Sequence, residues 1–277
     1  MRGVIFVALL AAAPSFAAQR VVTLSPHLAE LVCAAGGCDQ LAGVVAYSDY
    51  PPQVMQLPQV GDAFNLNLER LLTLKPDLVL SWEGGGGMQD AARLRSLGLR
   101  VEKLRVSDLD DIANALRQIG RWLGTSAIAD AQATEVQLRL QSLRSHYRDR
   151  APVKVFYQVQ TEPLYTVSAG SPISQAIKLC GGVNAFAGLR SLAAPVGLEA
   201  VLAARPDVVI YAEQDEPNGR LFWERHRELQ AAAAGRVYAV DANRLARSTP
   251  RMLDGVEQLC EAMQRAREKI SGAGAPR

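Results

Sequence analysis

Hydrophobic and polar positions along this chain alternate between short buried strands and amphipathic helices. The first part predicts strands, each followed by a helix, with strands at 20–25, 41–46, 78–82 and 101–104 and helices at 26–35, 68–74, 88–97 and 109–123. The last part predicts the same alternation, with strands at 154–159, 208–212 and 237–241 and helices at 173–180, 219–229 and from about 251. Such alternation favours an α/β fold with mostly parallel sheets.

One stretch between these two parts has no strand pattern. Residues 126–148 contain no Gly and no Pro, and their apolar side chains recur at steps of three and four. These side chains form one stripe on a single helix: Ala129, Ala133, Val136, Leu140, Leu143 and Tyr147. At 1.5 Å per residue such a helix reaches roughly 30–35 Å, about the width of a domain. The pattern therefore predicts a bridging helix.

The segment 68–80 is repeated without a gap at 198–210. Each copy reads as a short helix, a basic-Pro-Asp turn and a buried strand, because proline ends the helix and fixes the turn. Chance similarity is the alternative, since short turns of this kind have few solutions. The repeat indicates two similar α/β lobes joined by one long α-helix, with a ligand cleft between the lobes.

The beginning of the chain has the features of an export signal. Arg2 supplies a positive start, residues 4–13 form an apolar run too short to span a bilayer, and 15–17 offer small residues for cleavage. A buried strand or an anchoring helix is the alternative. We expect a signal peptide at 1–17, an N-terminal lobe at 18–124, a bridging helix at 125–149 and a C-terminal lobe at 150–277. No cysteine follows the cut to carry a lipid anchor, so we expect the periplasm.

Composition narrows the class of partner. The length of 277 residues suits two domains, and a hydrophobic fraction of 49% supports substantial cores. Removing Arg2 with the signal leaves 29 of the 30 basic residues against 28 acidic ones, a formal charge of +1. This balance gives no reason to expect nucleic acid or acidic membranes as partners.

Four cysteines remain in what we expect to be an oxidising compartment: Cys33, Cys38, Cys180 and Cys260. An even number predicts two disulfides, with three possible pairings. We favour Cys33–Cys38, which brackets two glycines at a helix exit, together with Cys180–Cys260, which would join an early helix of the second lobe to the last helix. Four free thiols are the alternative, and the spacings match no common zinc site.

Several segments match those of a known class. They are Val22-Thr23-Leu24-Ser25-Pro26, Tyr47-Ser48-Asp49-Tyr50-Pro51-Pro52, Asn67-Leu68-Glu69-Arg70, Leu74-Lys75-Pro76-Asp77-Leu78, 113–118, Cys180-Gly181-Gly182 with Asn184 and Phe186, and Ser248-Thr249-Pro250-Arg251. The chain resembles the periplasmic binding proteins whose two lobes are bridged by a single helix, which serve importers of cobalamin, ferric siderophores and haem. The segment 47–52 and the paired Cys180 and Cys260 point to the cobalamin branch.

The resemblance implies a set of ligand contacts along the cleft. Tyr47 and Trp82 fall at matching positions, Phe64 lies one place beyond a family tryptophan, and Tyr165 is a looser match. Core packing is the alternative for each aromatic residue. Arg247 is retained, but an acidic partner beside it is missing.

His27 follows the first predicted strand, where such folds place ligands. The resemblance puts it at a position that is usually small and touches the ligand. It could meet a metal face of the ligand or hydrogen-bond an amide rim, and a plain polar contact is the commoner role.

The resemblance also implies docking residues. Glu69 and Glu199, one in each copy of the repeat, match the glutamates that contact arginines of the two membrane subunits. Two equivalent carboxylates suit a partner with two equivalent subunits. The alternative is that both merely favour a helix start.

We therefore expect a monomeric periplasmic protein that captures cobalamin and delivers it to the permease subunits of an ABC importer, with no cofactor and no resident metal. The chain lacks a G-x-S-x-G elbow, a Walker loop and a C-x-x-C motif, so we expect no enzyme activity. The alternative is a ferric siderophore or haem binding protein of the same class, which a cluster of Arg244, Arg247 and Arg251 would favour.

Overall fold

The computed structural model describes residues 17–62, 65–83 and 88–273. The expected export signal, apart from its last residue, and the candidate Phe64 lie outside these ranges. Among the described helices, none combines the length and the apolarity needed to cross a membrane.

The first lobe is a parallel sheet covered by helices. Its elements are β1 (Val21–Thr23), α1 (Pro26–Ala34), β2 (Leu41–Gly43), α2 (Leu68–Thr73), β3 (Leu78–Trp82), α3 (Met88–Ser96), β4 (Val101–Leu104) and α4 (Asp111–Leu123). The strand order is β2-β1-β3-β4, and every pairing is parallel. Because all strands run the same way, their carboxyl ends lie at one edge of the sheet.

The bridging helix α5 spans Ser126–Tyr147, close to the predicted range. Its apolar stripe is buried except at Leu143, which is partly buried against the same core. That core includes Val21 of the first sheet and Val155 of the second, so one continuous core runs through both lobes along α5.

The second lobe is a similar parallel sheet. Its elements are β5 (Val153–Gln158), β6 (Tyr165–Val167), α6 (Pro172–Leu179), β7 (Gly182–Asn184), β8 (Ala193–Pro195), α7 (Leu198–Ala204), β9 (Val208–Ala212), α8 (Asn218–Arg225), α9 (Gln230–Ala233), β10 (Val237–Val240), α10 (Ala242–Leu245) and α11 (Met252–Ala273). The parallel sheet has the order β10-β9-β5-β7, and β6 and β8 form a separate antiparallel pair. The predicted fold class, two α/β lobes joined by a long helix, is confirmed.

Two details of the second lobe differ from the prediction. Strands β6, β7 and β8 were not predicted, because three residues are too few to show an alternating pattern. The helix predicted at 219–229 ends four residues early, since α8 stops at Arg225, and a separate short helix, α9, begins after the predicted range at Gln230.

The sequence repeat produces the same local structure in both lobes. The basic residue of each turn, Lys75 or Arg205, has a φ of +46°. The aspartate of each turn accepts hydrogen bonds from the start of the first strand of its lobe: Asp77 from the Arg20 amide at 3.1 Å, and Asp207 from the Lys154 amide at 2.7 Å. The repeat therefore fixes the same helix-to-strand connection twice.

Both favoured disulfides are present. Cys33 at the end of α1 is bonded to Cys38, and Cys180 after α6 is bonded to Cys260 in α11. The second bond joins residues 80 positions apart and ties α6 to the last helix. It therefore restrains the second lobe far more than the first bond restrains its short loop.

Candidate functional site

The carboxyl edges of the two sheets face each other. Arg247 lies just after β10 and α10 in the second lobe, and its guanidinium reaches residues that follow β2 in the first lobe. Arg247 Nη2 lies 3.3 Å from the Tyr47 carbonyl oxygen. This contact lies in the cleft region between the strand ends of the two lobes, the usual ligand position for parallel sheets.

Tyr47 presents its ring at the rim of this cleft. The residue is 81% exposed, the largest exposed fraction of any large hydrophobic residue described here. Its φ is +65°, which is uncommon for a residue with a bulky side chain. The ring has no aromatic neighbour among the described residues, so it is a free flat surface.

His27 and Trp82 form a second aromatic contact at the same edge. His27 is the second residue of α1, just after β1, and Trp82 ends the neighbouring β3. Their ring centroids are 4.9 Å apart, with an interplanar angle of 84°. Trp82 is half-buried, which leaves part of the indole accessible. The pair provides an apolar wall next to a polar imidazole.

The His27 imidazole is held neutral. Its Nδ1 lies 2.7 Å from the Ser25 hydroxyl oxygen. Burial, together with the nearby positive charge of Arg247, lowers the pKa of His27 from 6.5 to about 4. Near pH 7 the ring is therefore neutral, with one nitrogen that can donate a hydrogen bond and one that can accept.

The expectation that Arg247 lacks an acidic partner is wrong, because two carboxylates of the first lobe reach it. Its Nη1 lies 2.8 Å from Glu30 Oε1 and 2.5 Å from Asp49 Oδ1, and its Nη2 lies 3.2 Å from Asp49 Oδ2. Hydrogen bonding to this guanidinium lowers the pKa of Asp49 below its usual value. The partners come from other parts of the fold, so no sequence neighbour of Arg247 reveals them.

Glu30 is the centre of this contact between the lobes. Its side chain is only 2% exposed and accepts hydrogen bonds from Arg247, Thr249 Oγ1 at 3.1 Å, and Arg251 Nε and Nη2 at 3.1 and 2.9 Å. The Arg251 guanidinium also lies 3.6 Å from the Tyr50 ring centroid. We call the set Glu30, Asp49, Arg247, Thr249 and Arg251 the interlobe clamp.

The second lobe adds a polar group that the sequence analysis missed. Gln158, fully buried at the end of β5, accepts a hydrogen bond from Trp223 Nε1 at 2.6 Å and donates to Thr161 and Asp215 at 3.0 and 3.2 Å. The Thr161 hydroxyl also bonds Asp215. Thr161 and Asp215 line a cavity of about 360 Å³. The one signal in the sequence for Thr161 and Asp215 is that each follows a predicted strand, 154–159 or 208–212.

Of the two remaining aromatic candidates, Tyr165 lies beside the Gln158 group of the second lobe, and Phe64 lies outside the described residues. Tyr165 is half-buried on β6, where it pairs with Pro195 of β8. None of its hydrogen bonds reaches the first lobe within the described ranges. Phe64 is one of the residues the structure does not describe. The structure therefore brings together Tyr47, Trp82, His27 and Arg247.

The candidate docking glutamates occupy equivalent places. Glu69 and Glu199 are both exposed and lie in the first turns of α2 and α7. Neither carboxylate has a hydrogen bond or an ion pair within 17–62, 65–83 and 88–273. Over the same residues, no group of three or more His, Cys, Asp or Glu side chains could hold a metal ion.

Comparisons with known proteins agree with this architecture. A model of the periplasmic binding protein family matches residues 21–243. The vitamin B12-binding protein of Vibrio cholerae is 36% identical over 257 residues, 93% of this chain and 93% of that protein. The crystal structure of the V. cholerae periplasmic vitamin B12 binding protein gives a TM-score of 0.85 at 37% identity, covering 90% of this chain and 98% of that chain.

A haem-binding relative shares the same fold. The periplasmic haem binding protein of Pseudomonas aeruginosa gives a TM-score of 0.75 at 26% identity, covering 88% of this chain and 92% of that chain. Family match, sequence identity and backbone similarity all extend over both lobes. The chain therefore belongs to the periplasmic binding protein family.

Proposed function

We propose that this protein captures cobalamin in the periplasm and delivers it to the permease subunits of an ABC importer. The observation that carries the proposal is the exposed Tyr47 ring at the cleft rim, at the edge where Trp82 and His27 also lie. The likeness to the V. cholerae vitamin B12-binding protein supports it. Membership in a family of binding proteins agrees with the missing catalytic motifs, which predict that the chain is not an enzyme.

The chemistry of a corrin suits these side chains. A corrin is a large, mostly apolar plate with neutral amide groups at its rim. Flat rings such as Tyr47 and Trp82 cover such a plate at roughly 25 cal/mol per Å² of apolar area buried. The neutral His27 imidazole can exchange hydrogen bonds with a rim amide.

The charges of the clamp argue against an anionic ligand. A ferric siderophore or the propionates of haem need unpaired cations in the cleft. Arg247 and Arg251 are paired with Glu30 and Asp49, and Arg244 lies 3.1 Å from Asp241. The three arginines that would favour an anionic chelate are therefore already neutralised.

Replacing Tyr47 with Ala should weaken binding of cyanocobalamin at least tenfold, because a ring of this size buries enough apolar area to contribute well over 1.4 kcal/mol. Isothermal titration of the purified mature protein measures the affinity. Met55→Ala is the matched control, since Met55 is also an exposed apolar residue, at 55%, but lies in the separate turn 52–56. Equal affinities of Tyr47→Ala and wild type would remove Tyr47 from the site.

We further propose that Glu69 and Glu199 dock onto the importer. Each is exposed in the first turn of its helix, and the repeat places them equivalently in the two lobes. A carboxylate with no partner of its own can form a bidentate pair with an arginine without first breaking another contact. One such residue per lobe suits two equivalent permease subunits.

The double variant Glu69→Ala, Glu199→Ala should weaken docking at least tenfold and leave cyanocobalamin affinity within about twofold, because neither carboxylate bonds a candidate ligand residue in the described part of the chain. Surface plasmon resonance with the detergent-solubilised importer of the same organism measures docking. Glu135→Ala with Glu261→Ala removes the same charge from exposed helix positions. If both double variants dock alike, the assignment of Glu69 and Glu199 is wrong.

A further inference from the structure

The backbone conformation of Tyr47 must be stabilised by residues other than Tyr47 itself. Its φ of +65° is one that residues with a Cβ adopt only when the surroundings hold them there. The residue is 81% exposed, so little packing holds its ring in place. The direction of the ring is therefore set by the backbone of the segment 46–49.

Arg247 forms hydrogen bonds to that segment from the opposite lobe. Its Nη2 donates to the Tyr47 carbonyl oxygen at 3.3 Å. The two Nη atoms also donate to the two carboxylate oxygens of Asp49, at 2.5 and 3.2 Å. The guanidinium fork thus holds the residues on both sides of Ser48, and a bidentate pair fixes direction as well as distance.

The same contacts leave Arg247 little capacity for a ligand. Four hydrogen bonds run from its Nη atoms to the first lobe, including the one to Glu30. The side chain is only 15% exposed, and its charge is balanced by Asp49 and the buried Glu30. A direct contact with a neutral amide rim would have to replace one of these charged pairs.

We propose that Arg247 is a positioning residue, which holds the Tyr47 ring ready for the ligand from the opposite lobe and does not bind the ligand itself. The proposal rests on the proposed function, because it names how one contact of that site is kept in place. It replaces the expectation from the sequence that Arg247 is a ligand contact.

A double-mutant cycle separates the two roles. In the wild-type background, Arg247→Gln should weaken cyanocobalamin binding about tenfold, since a released Tyr47 relaxes away from its strained φ. In the Tyr47→Ala background the same change should weaken binding less than about twofold, because its target is gone. An equal loss in both backgrounds would show a direct ligand contact or a general change between the lobes, and would overturn the proposal.

Two further variants keep the test decisive. Asp49→Asn removes the carboxylate that pairs with the Arg247 guanidinium. It should weaken binding in the wild-type background and not in the Tyr47→Ala background, and it serves as the test if Arg247→Gln folds poorly. Ser248→Ala is the control, because it changes the next residue of the same loop and its hydroxyl makes no hydrogen bond in the described part of the chain. It should leave the affinity within about twofold. A loss as large as that of Arg247→Gln would mean that any change in this loop weakens binding, and would overturn the proposal.

A measurement without ligand distinguishes failure of this inference from failure of the proposed function. Amide hydrogen exchange in the peptide covering 45–50 should be faster in Arg247→Gln than in wild type and unchanged in Ser248→Ala. If wild-type protein does not bind cyanocobalamin, the proposed function is wrong, but the positioning role of Arg247 is not contradicted. Unchanged exchange in Arg247→Gln would end the positioning role, whatever the ligand.

Discussion

Glu30→Gln should lower the free energy of unfolding by about 3 kcal/mol, because removing one partner of a buried ion pair leaves the other charge uncompensated. Glu30 is 2% exposed and is the only carboxylate paired with Arg251 in the described part of the chain. Glutamine keeps the shape but cannot balance the guanidinium of Arg251, and Arg247 retains only Asp49. Urea-induced unfolding at pH 7 measures the change.

The control for this prediction is Glu135→Gln, an exposed charge on α5, which should change stability by less than about 0.5 kcal/mol. If Glu30→Gln and Glu135→Gln unfold at the same urea concentration, the clamp does not stabilise the fold. Because the donors to Glu30 come from the second lobe, such a loss would show that this contact between the lobes contributes to the stability of the protein.

Acidification from pH 6.5 to about pH 4 should cost roughly 3 kcal/mol of stability through His27 alone. Its pKa is about 4 in the folded protein and 6.5 in the unfolded chain, and each unit corresponds to about 1.4 kcal/mol. Between these values the unfolded chain binds a proton that the folded chain does not, so stability falls as the pH falls. Above pH 6.5 the full contribution is present.

His27→Gln should remove this slope, because the amide cannot titrate while it can still bond the Ser25 hydroxyl. Urea unfolding at half-unit steps between pH 4 and pH 7 measures it. His146→Gln replaces an exposed histidine and should keep the wild-type slope. Asp49 titrates below this window, since Arg247 lowers its pKa from 3.8. An unchanged slope in His27→Gln would contradict the neutral, buried imidazole.

Periodic features of the fold could be predicted from the sequence. The α5 stripe and the gap-free repeat each depend on local patterns, and the structure places α5 within a residue or two of the predicted range. Strands β6 to β8 could not be predicted because each has only three residues. Such strands are defined by their pairing with other strands and not by a pattern in the sequence. Periodicity thus revealed the architecture but missed its shortest elements.

The clamp could not be predicted, because its residues share no local pattern. Arg247 and Glu30 lie 217 positions apart, and no acidic residue stands beside Arg247 in the sequence. The positive φ of Tyr47 could not be predicted either, since the residue is not a glycine, which is the usual sign of a positive φ in a sequence. Such features arise only from the tertiary arrangement of the two lobes.

The central claim is that the cleft binds a neutral corrinoid and not an anionic chelate. Parallel isothermal titrations of the wild-type mature protein with cyanocobalamin, haemin and a ferric siderophore test it most directly. We expect tight one-to-one binding of cyanocobalamin and much weaker binding of the other two, because Arg247 and Arg251 are already paired. Tight binding of haemin or the ferric chelate, with no heat from cyanocobalamin, would contradict it.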